Sequence, residues 1–224
     1  MKNDILVEKH KYLFQFTLVN PHAGKGSMLV KRQTTTSEIY VYTRSWLYVF
    51  WQSQPTPVSF RRDDKIIMLR GTFGVLIPPF RVVEWLFHPG EFLFEFWTLD
   101  QIPVLNRWDR AFAFRSQDKA LSQDLAAVLG TIEKNIDASF PIERSSKKNP
   151  IVAKVKTMIN ERFRETIQIT DISLALGVTR EYISRLFRAE VGLSPKDYIQ
   201  LIRLDYALYM IQYENASVTK ACHE

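Results

Sequence analysis

The sequence predicts an α+β protein in which an antiparallel β-barrel domain precedes an all-α domain. Short runs rich in aromatic and β-branched residues, separated by turn residues, extend from Tyr12 to about Arg115. Helical periodicity begins at Gln117, and a pair of short amphipathic helices joined by a glycine follows later in the chain. The predicted parts are a barrel domain, a helical segment, a linker and a helical domain: residues 1–115, 116–140, 141–150 and 151–224.

The N-terminal part contains many short predicted strands with evenly spaced turns. Runs such as YLFQFTLV, WLYVFW and EFLFEFWTL are separated by turn sequences that include Gln-Pro-Thr-Pro, Pro-Pro and His-Pro-Gly. This pattern predicts a closed or sandwich-like antiparallel barrel. In two strands both faces are largely apolar, which indicates that both faces are covered.

Some aromatic side chains of the barrel could line a small-molecule pocket. Ligand sites combine apolar and aromatic walls with a few polar groups. On this basis the residues of a predicted effector pocket are Tyr48, Glu84, Trp85 and Glu95. Ordinary core packing is the alternative role for each ring.

The sequence does not predict an enzyme. The histidines, His10, His22, His88 and His223, are isolated in the sequence, whereas a metal centre in a barrel needs closely spaced ligands on adjacent strands. No metal and no other cofactor is therefore predicted. Glu84 and His88 fall on one strand face and could support acid–base chemistry, but an exposed polar strand face is the simpler interpretation.

The segment from Gln117 to Phe140 has one continuous apolar stripe. The residues of this stripe that are predicted to form a dimer interface are Leu121, Leu125, Val128, Leu129, Ile132 and Ile136. An exposed stripe of this kind needs a partner. That partner is either the barrel of the same chain or the same helix of a second copy.

The linker PIERSSKKNP separates this segment from the helical domain. Its prolines bracket a polar run that has no periodicity. Asn149 and Pro150 are suited to begin the next helix, as cap and first-turn residue. The inward residues of that helix are predicted to be Val152, Val155, Ile159 and Phe163.

The segment Ile169 to Phe187 predicts two short helices joined by a tight turn. Thr170 and Thr179 are the predicted N-caps, and Gly177 is suited to the left-handed conformation that ends the first helix. The predicted inward residues are Ile172, Ala175, Leu176, Ile183, Leu186 and Phe187.

The outer face of the second helix is polar. At about 100° per residue, Glu181, Arg185 and Arg188 project away from the inward stripe, with Arg180 and Ser184 on the flanks. Such a helix is a candidate for the DNA major groove. Glu181, Ser184 and Arg185 are predicted to contact bases, and Arg180 and Arg188 to contact phosphates. Small helical domains without this function also contain such helix pairs.

The segment RAEVGLSPKDYIQLIRLDYALYMI, which begins at Arg188, resembles the corresponding part of the AraC/XylS family of transcription regulators. The matching features extend the Ser184-Arg185-Leu186-Phe187 run and are Gly192, Ser194, Pro195, Tyr198, Arg203, Leu204 and Ala207. The resemblance implies a cupin-like N-terminal domain that dimerises through the helical segment, and two helix-turn-helix units joined by a long helix.

The C-terminal end departs from this family pattern. Ser217 to Ala221 resembles the first helix of the second unit, and the sequence stops at Glu224. A single unit makes few base contacts, so weak, salt-sensitive binding to double-stranded DNA is expected. The resemblance also implies a homodimer, a possible small-molecule effector and, for an activator, contact with RNA polymerase.

Composition agrees with this expectation. The net charge of +6 favours polyanionic partners, and the one cysteine, Cys222, fits a reducing cytoplasm. No long apolar segment suggests a membrane span. Two alternatives stay open: a sensor or dimeric interaction module with a vestigial DNA-binding unit, and a cupin-like enzyme with an appended helical domain.

Overall fold

The computed structural model describes residues 12–20, 23–51, 57–99, 110–115, 124–143 and 149–223. The chain forms two compact units. The first comprises Met1–Tyr40 and Arg44–Glu143, and the second comprises Val41–Thr43 and Arg144–Glu224. The predicted α+β class is confirmed, because antiparallel sheets make up most of the first unit and helices make up the second.

The described strands of the first unit form two antiparallel sheets. The strands are β1 (Tyr12–Asn20), β2 (Ala23–Arg32), β3 (Thr36–Val41), β4 (Ser45–Trp51), β5 (Val58–Arg62), β6 (Lys65–Leu69), β7 (Phe73–Ile77), β8 (Val82–Phe87), β9 (Gly90–Leu99), β10 (Phe112–Arg115) and β11 (Phe140–Pro141). One sheet has the order β1-β2-β9-β4-β7-β10-β11, and the other has the order β3-β8-β5-β6. Strands β5, β10 and β11 were not among the predicted runs.

Aromatic side chains join the two sheets. The ring centroids of Phe60 and Phe73, on different sheets, are 6.5 Å apart, and those of Trp85 and Phe94 are 5.7 Å apart. All four side chains are buried. The sheets therefore face each other as a sandwich across an aromatic core. Among the described residues the strands form two sheets and not one closed barrel, so the sandwich-like alternative describes this unit.

Where the structure describes it, the helical segment of the first unit begins at Leu125 and ends before Phe140. Helix α1 spans Leu125–Asn135, and the Asp124 carboxylate caps it by accepting a hydrogen bond from the Ala126 amide. A 3-10 helix at Ile136–Ala138 ends the segment, and Phe140 begins β11. Leu121 lies outside the described residues.

The apolar stripe of α1 packs on the seven-stranded sheet. Val128 and Ile132 are 2% and 0% exposed, and they belong to a core cluster with Trp97 and Leu99 of β9. Leu129 and Ile136 pack against the same cluster. The assignment of Val128 and Ile132 to a dimer interface is therefore corrected: the chain buries these side chains in its own core, so a second copy cannot contact them.

The second unit is helical. Its helices are α2 (Pro150–Arg162), α3 (Ile169–Leu176), α4 (Arg180–Val191), α5 (Pro195–Tyr213) and α6 (Val218–His223). The centre of the unit is the Phe187–Tyr198 ring pair, with centroids 5.3 Å apart. The Tyr198 hydroxyl donates to Asn160 Oδ1 at 2.9 Å, so α5 is tied to α2 as well as to α4. No helix in the described part of the chain is both long and apolar enough to cross a membrane.

Most predicted helix ends are confirmed. Side-chain oxygens of the predicted caps Asn149 and Thr179 accept backbone hydrogen bonds at the starts of α2 and α4. Ser194 caps α5 in the same way. Thr170 is a correction, since it lies inside the first turn of α3, whose N-cap is Gln168. Ala175 is a second correction, because it is exposed and Ser173 is buried in its place.

The C-terminal end of the described chain is ordered as a helix. Ala221 of α6 is 6% exposed, and Ser217 Oγ accepts a hydrogen bond from the Lys220 amide at the helix start.

Candidate nucleic-acid interface

A glycine turn sets the geometry between α3 and α4. Gly177 has φ 65° and ψ 32°, the left-handed conformation that an L side chain adopts only at a cost. Its amide donates to the Leu174 carbonyl at 3.1 Å, and the Val178 amide donates to the Ser173 carbonyl at 3.0 Å. These bonds satisfy the last carbonyls of α3 and turn the chain sharply into α4.

Helix α4 divides into a buried and an exposed side. Ile183 and Phe187 are 1% and 0% exposed. Glu181, Arg185 and Arg188, each offset from that stripe, are exposed. The structure thus brings the predicted base-contacting and phosphate-contacting side chains onto one accessible surface. Ser184, on the flank, is half-buried.

The exposed cations of α4 differ in their local contacts. The Arg185 guanidinium lies 5.5 Å from the Tyr182 ring centroid, a cation–π contact that limits its side-chain freedom without neutralising its charge. Arg180 Nε lies 3.7 Å from Glu181 Oε1, and both side chains are mostly exposed, so this ion pair is weak. Within the described residues, the Arg188 side chain makes no hydrogen bond or ion pair.

A groove of about 1140 Å³ runs beside this surface, entirely within the second unit. One wall is α4, and the other combines the start of α5 with the chain that leads into α3. Five basic side chains line it against one acidic side chain, Glu181; the basic ones are Arg180, Arg185, Arg188, Lys196 and Arg203. A cationic concave surface of this kind attracts a polyanion.

Arg203 has a role that its place in the family motif did not reveal. Its Nε donates to the Phe163 carbonyl and its Nη2 donates to the Glu165 carbonyl, both at 2.7 Å. Both carbonyls belong to the connection between α2 and α3. The guanidinium therefore holds the chain that leads into α3, and through it the position of the helix pair. The sequence spacing contained no signal for this long-range contact.

The predicted effector-pocket residues Glu84, Trp85 and Glu95 do not converge. Trp85 points into the sandwich, where its ring lies 4.5 Å from that of Phe60. Glu84, its neighbour on β8, lies on the opposite face and accepts hydrogen bonds from Ser37 Oγ at 2.7 Å and Arg61 Nε at 2.8 Å. Adjacent residues of a strand face opposite sides, so one pocket cannot contain both side chains.

Glu95 also lies away from the sandwich interior. On β9 its neighbour Phe94 packs on Trp85, so Glu95 faces the other side of its sheet. The prediction of one pocket from Glu84, Trp85 and Glu95 is therefore wrong. Tyr48 lies on β4 opposite Phe96 of β9 and Val75 of β7 in the strand register.

His88, the histidine that could support acid–base chemistry with Glu84, has a local partner. Its Nε2 lies 3.0 Å from Ser59 Oγ, and Ser59 is fully buried. Glu84 is paired with Arg61. In the described part of the chain, no three His, Cys, Asp or Glu side chains are grouped closely enough to hold a metal ion.

The sequence is similar to bacterial operon regulators. Over 97 residues it is 25% identical to the Msm operon regulatory protein of Streptococcus mutans, a match that covers 43% of this chain and 35% of that protein. Over 104 residues it is 23% identical to the lactose operon transcription activator of Staphylococcus xylosus, covering 46% and 37% respectively. The chain thus matches about a third of the length of these relatives. No protein-family model matches it.

The fold is similar to that of ToxT from Vibrio cholerae, an AraC-family regulator. One ToxT structure superposes with a TM-score of 0.55 at 8% identity, covering 90% of this chain and 88% of that one. A fatty-acid-bound ToxT structure gives 0.56 at 10% identity, covering 90% and 85%. The predicted resemblance to AraC/XylS regulators is confirmed. At these identities the structural match concerns the fold alone.

Proposed function

We propose that this chain is a DNA-binding transcription regulator that inserts α4 into the major groove of double-stranded DNA. The supporting observation is the outer face of α4, where Glu181, Arg185 and Arg188 are exposed beside a basic groove. The similarity to operon regulators supports the same conclusion. An α-helix fits the major groove, where every base pair presents a distinct pattern of donors and acceptors.

Each outer side chain of α4 has a chemically distinct proposed role. Arg185 donates two hydrogen bonds to guanine O6 and N7, the geometry for which the guanidinium fork is suited. Glu181 accepts from a cytosine amino group, and Ser184 contacts a neighbouring base edge. Arg180 and Arg188 contact phosphates, which orient the helix without reading sequence.

The test is duplex binding by the full chain. A preferred site is first selected from a pool of random duplexes, and its affinity is then measured by fluorescence anisotropy. Arg185→Ala is expected to weaken binding to the selected site by about 1–3 kcal/mol and to relax the preference at one base pair. Lys154→Ala removes an exposed cation of α2 outside the groove. This control is expected to bind like the unmodified chain.

Two results would contradict the proposal. If Arg185→Ala kept the same affinity and the same base preference, Arg185 would not be a base-contacting residue. The proposed function would be contradicted if the unmodified chain bound no duplex and the selection enriched no sequence. That result would favour a sensor with a vestigial DNA-binding unit.

The first unit is proposed to respond to a small apolar effector. One of the similar ToxT structures holds a bound unsaturated fatty acid, and the sandwich interior here is rich in aromatic rings. Thr98 is fully buried, and its hydroxyl makes no hydrogen bond to any described residue. Calorimetric titration with oleate tests this proposal, with heat of binding expected. No heat with oleate or with shorter unsaturated acids would contradict it.

Homodimerisation and contact with RNA polymerase are proposed from the family resemblance. Because Val128 and Ile132 are buried within the chain, a dimer has to use other surfaces. Sedimentation equilibrium is expected to give twice the mass of one chain. A single-chain mass at all concentrations would contradict the dimer.

A further inference from the structure

The wall of the groove that faces α4 was not among the predicted DNA-contacting surfaces. It includes Lys196 and Gln200 of α5. Both side chains are exposed, and neither makes a hydrogen bond or ion pair with the part of the chain that the structure describes. These side chains are therefore available to a ligand in the groove.

Lys196, Gln200 and Arg203 form one row on α5. Their spacing of four and three residues places them on one face of the helix, and they span about 10 Å along its axis at 1.5 Å per residue. A single DNA strand advances about 3.4 Å per phosphate. The length of the row therefore matches the advance of one DNA strand over about three nucleotides.

The cations of the row are not paired with the nearest acidic side chain. The acidic side chain nearest in sequence, Asp197, is not a lining residue, and its carboxylate accepts a hydrogen bond from Ser194 Oγ at 2.6 Å at the helix start. The Arg203 guanidinium is held by its two bonds to main-chain carbonyls. Lys196 is the cation of the row that is free to move toward a phosphate.

We propose, on the basis of the function proposed above, that one phosphate strand of the duplex lies in the groove between α4 and α5. A helix in the major groove is flanked by phosphate strands on both sides, because the groove is about 12 Å wide. The groove opens beside the outer face of α4, where one of those strands runs. Lys196 then contacts a phosphate through its ammonium group, and Gln200 donates through its amide nitrogen to a neighbouring one.

The first test compares the salt dependence of duplex binding. Lys196→Ala is expected to weaken binding by the same factor for the selected duplex and for a random duplex. It is also expected to make the slope of log K against log salt less steep by about 0.9, the value for one phosphate contact. Lys196→Arg is expected to keep both the affinity and the salt slope of the unmodified chain. Lys154→Ala serves as the matched control.

The second test locates the contact. A series of duplexes carries one neutral methylphosphonate each, at successive positions on both strands. At one position the neutral group is expected to weaken binding by the unmodified chain and to have no further effect on Lys196→Ala, because the two partners of one contact are coupled.

The outcomes separate this proposal from the proposed function. If Arg185→Ala loses affinity as expected while Lys196→Ala changes neither affinity nor slope, the assignment of the α5 wall is overturned and the α4 function is retained. The assignment would also be overturned if, at every position, the methylphosphonate weakened binding by Lys196→Ala as much as it weakened binding by the unmodified chain. If the unmodified chain binds no duplex, both proposals fail.

Discussion

At the residue scale, backbone conformation determines the expected effect of replacing Gly177 or Gly130. Gly177 and Gly130 both have open space where a Cβ atom would lie, because no heavy atom from outside the adjoining backbone is within 4 Å. They differ in conformation, since Gly177 has φ 65° and Gly130 lies inside α1. Replacing each glycine with alanine therefore tests the effect of backbone strain in the absence of steric overlap.

Gly177→Ala is expected to lower the free energy of unfolding of the helical unit by roughly 1–2 kcal/mol, the cost of a left-handed conformation for an L residue. Gly130→Ala, the matched substitution, is expected to raise the free energy of unfolding of the first unit by about 0.5–1 kcal/mol. All five tryptophans precede residue 110. Tryptophan fluorescence thus follows the first unit in urea, and far-UV circular dichroism follows the helices.

Equal signs for the two glycine variants would contradict the role of conformation at Gly177. Gly74 provides a different case, because a Cβ there would lie 2.1 Å from Phe114 Cζ. Its hydrogen is needed for close packing of β7 and β10. Gly177 is therefore needed for its backbone conformation and Gly74 for close packing, whereas Gly130 is needed for neither.

At the element scale, the position of α3 and α4 depends on the connection from α2. Arg203 bonds to the Phe163 and Glu165 carbonyls from a helix position 40 and 38 residues further along the chain. A lysine ammonium cannot reproduce two forked hydrogen bonds from a planar group. The arginine of the family motif is therefore a structural clamp on the helix pair.

Arg203→Lys is expected to lower the free energy of unfolding of the helical unit by about 1 kcal/mol, measured by circular dichroism in urea. Arg162→Lys is the control. Arg162 is also an exposed arginine, paired with Glu165 through one contact at 2.9 Å, and a surface change of this kind is expected to stay within about 0.5 kcal/mol. If both variants were equally stable, the clamp would have no energetic role.

At the scale of the whole molecule, charge is distributed so that the second unit can bind a polyanion. Residues 141–224 contain 13 basic and 10 acidic side chains, and residues 1–140 contain 17 and 14. The excess is therefore equal in the two parts. The groove, with five basic side chains and one acidic side chain, concentrates the positive charge of the second unit on one surface.

Binding of the full chain to a random duplex is expected to weaken linearly in log K with log salt. If Arg180, Arg188 and Lys196 each contact a phosphate, the slope is about −3, at 0.9 per contact. Anisotropy titrations between about 50 mM and 200 mM salt would measure it. A slope near zero would show that phosphate contacts do not contribute, and the three cations would need another role.

Local chemistry along the chain was sufficient for much of the second unit. Caps at Asn149, Thr179 and Ser194, the left-handed Gly177 and the outer face of α4 all follow from residue type and helical spacing. Most strands also followed from local patterns, although β5, β10 and β11 were missed. These features depend on neighbours within one or two turns or along one strand, which is why a single sequence predicts them.

Contacts between distant residues could be established only from the tertiary structure. The stripe of α1 has the same periodicity whether it packs on its own sheet or on a second copy, and only the buried cluster with Trp97 and Leu99 distinguishes the two. Strand alternation separates Glu84 from Trp85, but which face is the interior depends on how the sheets pair. Arg203 bonds to carbonyls about 40 residues earlier in the chain. The groove likewise brings α5 opposite α4 and the start of α3. A local sequence pattern does not indicate contacts of this kind, because they form only when separate elements pack together.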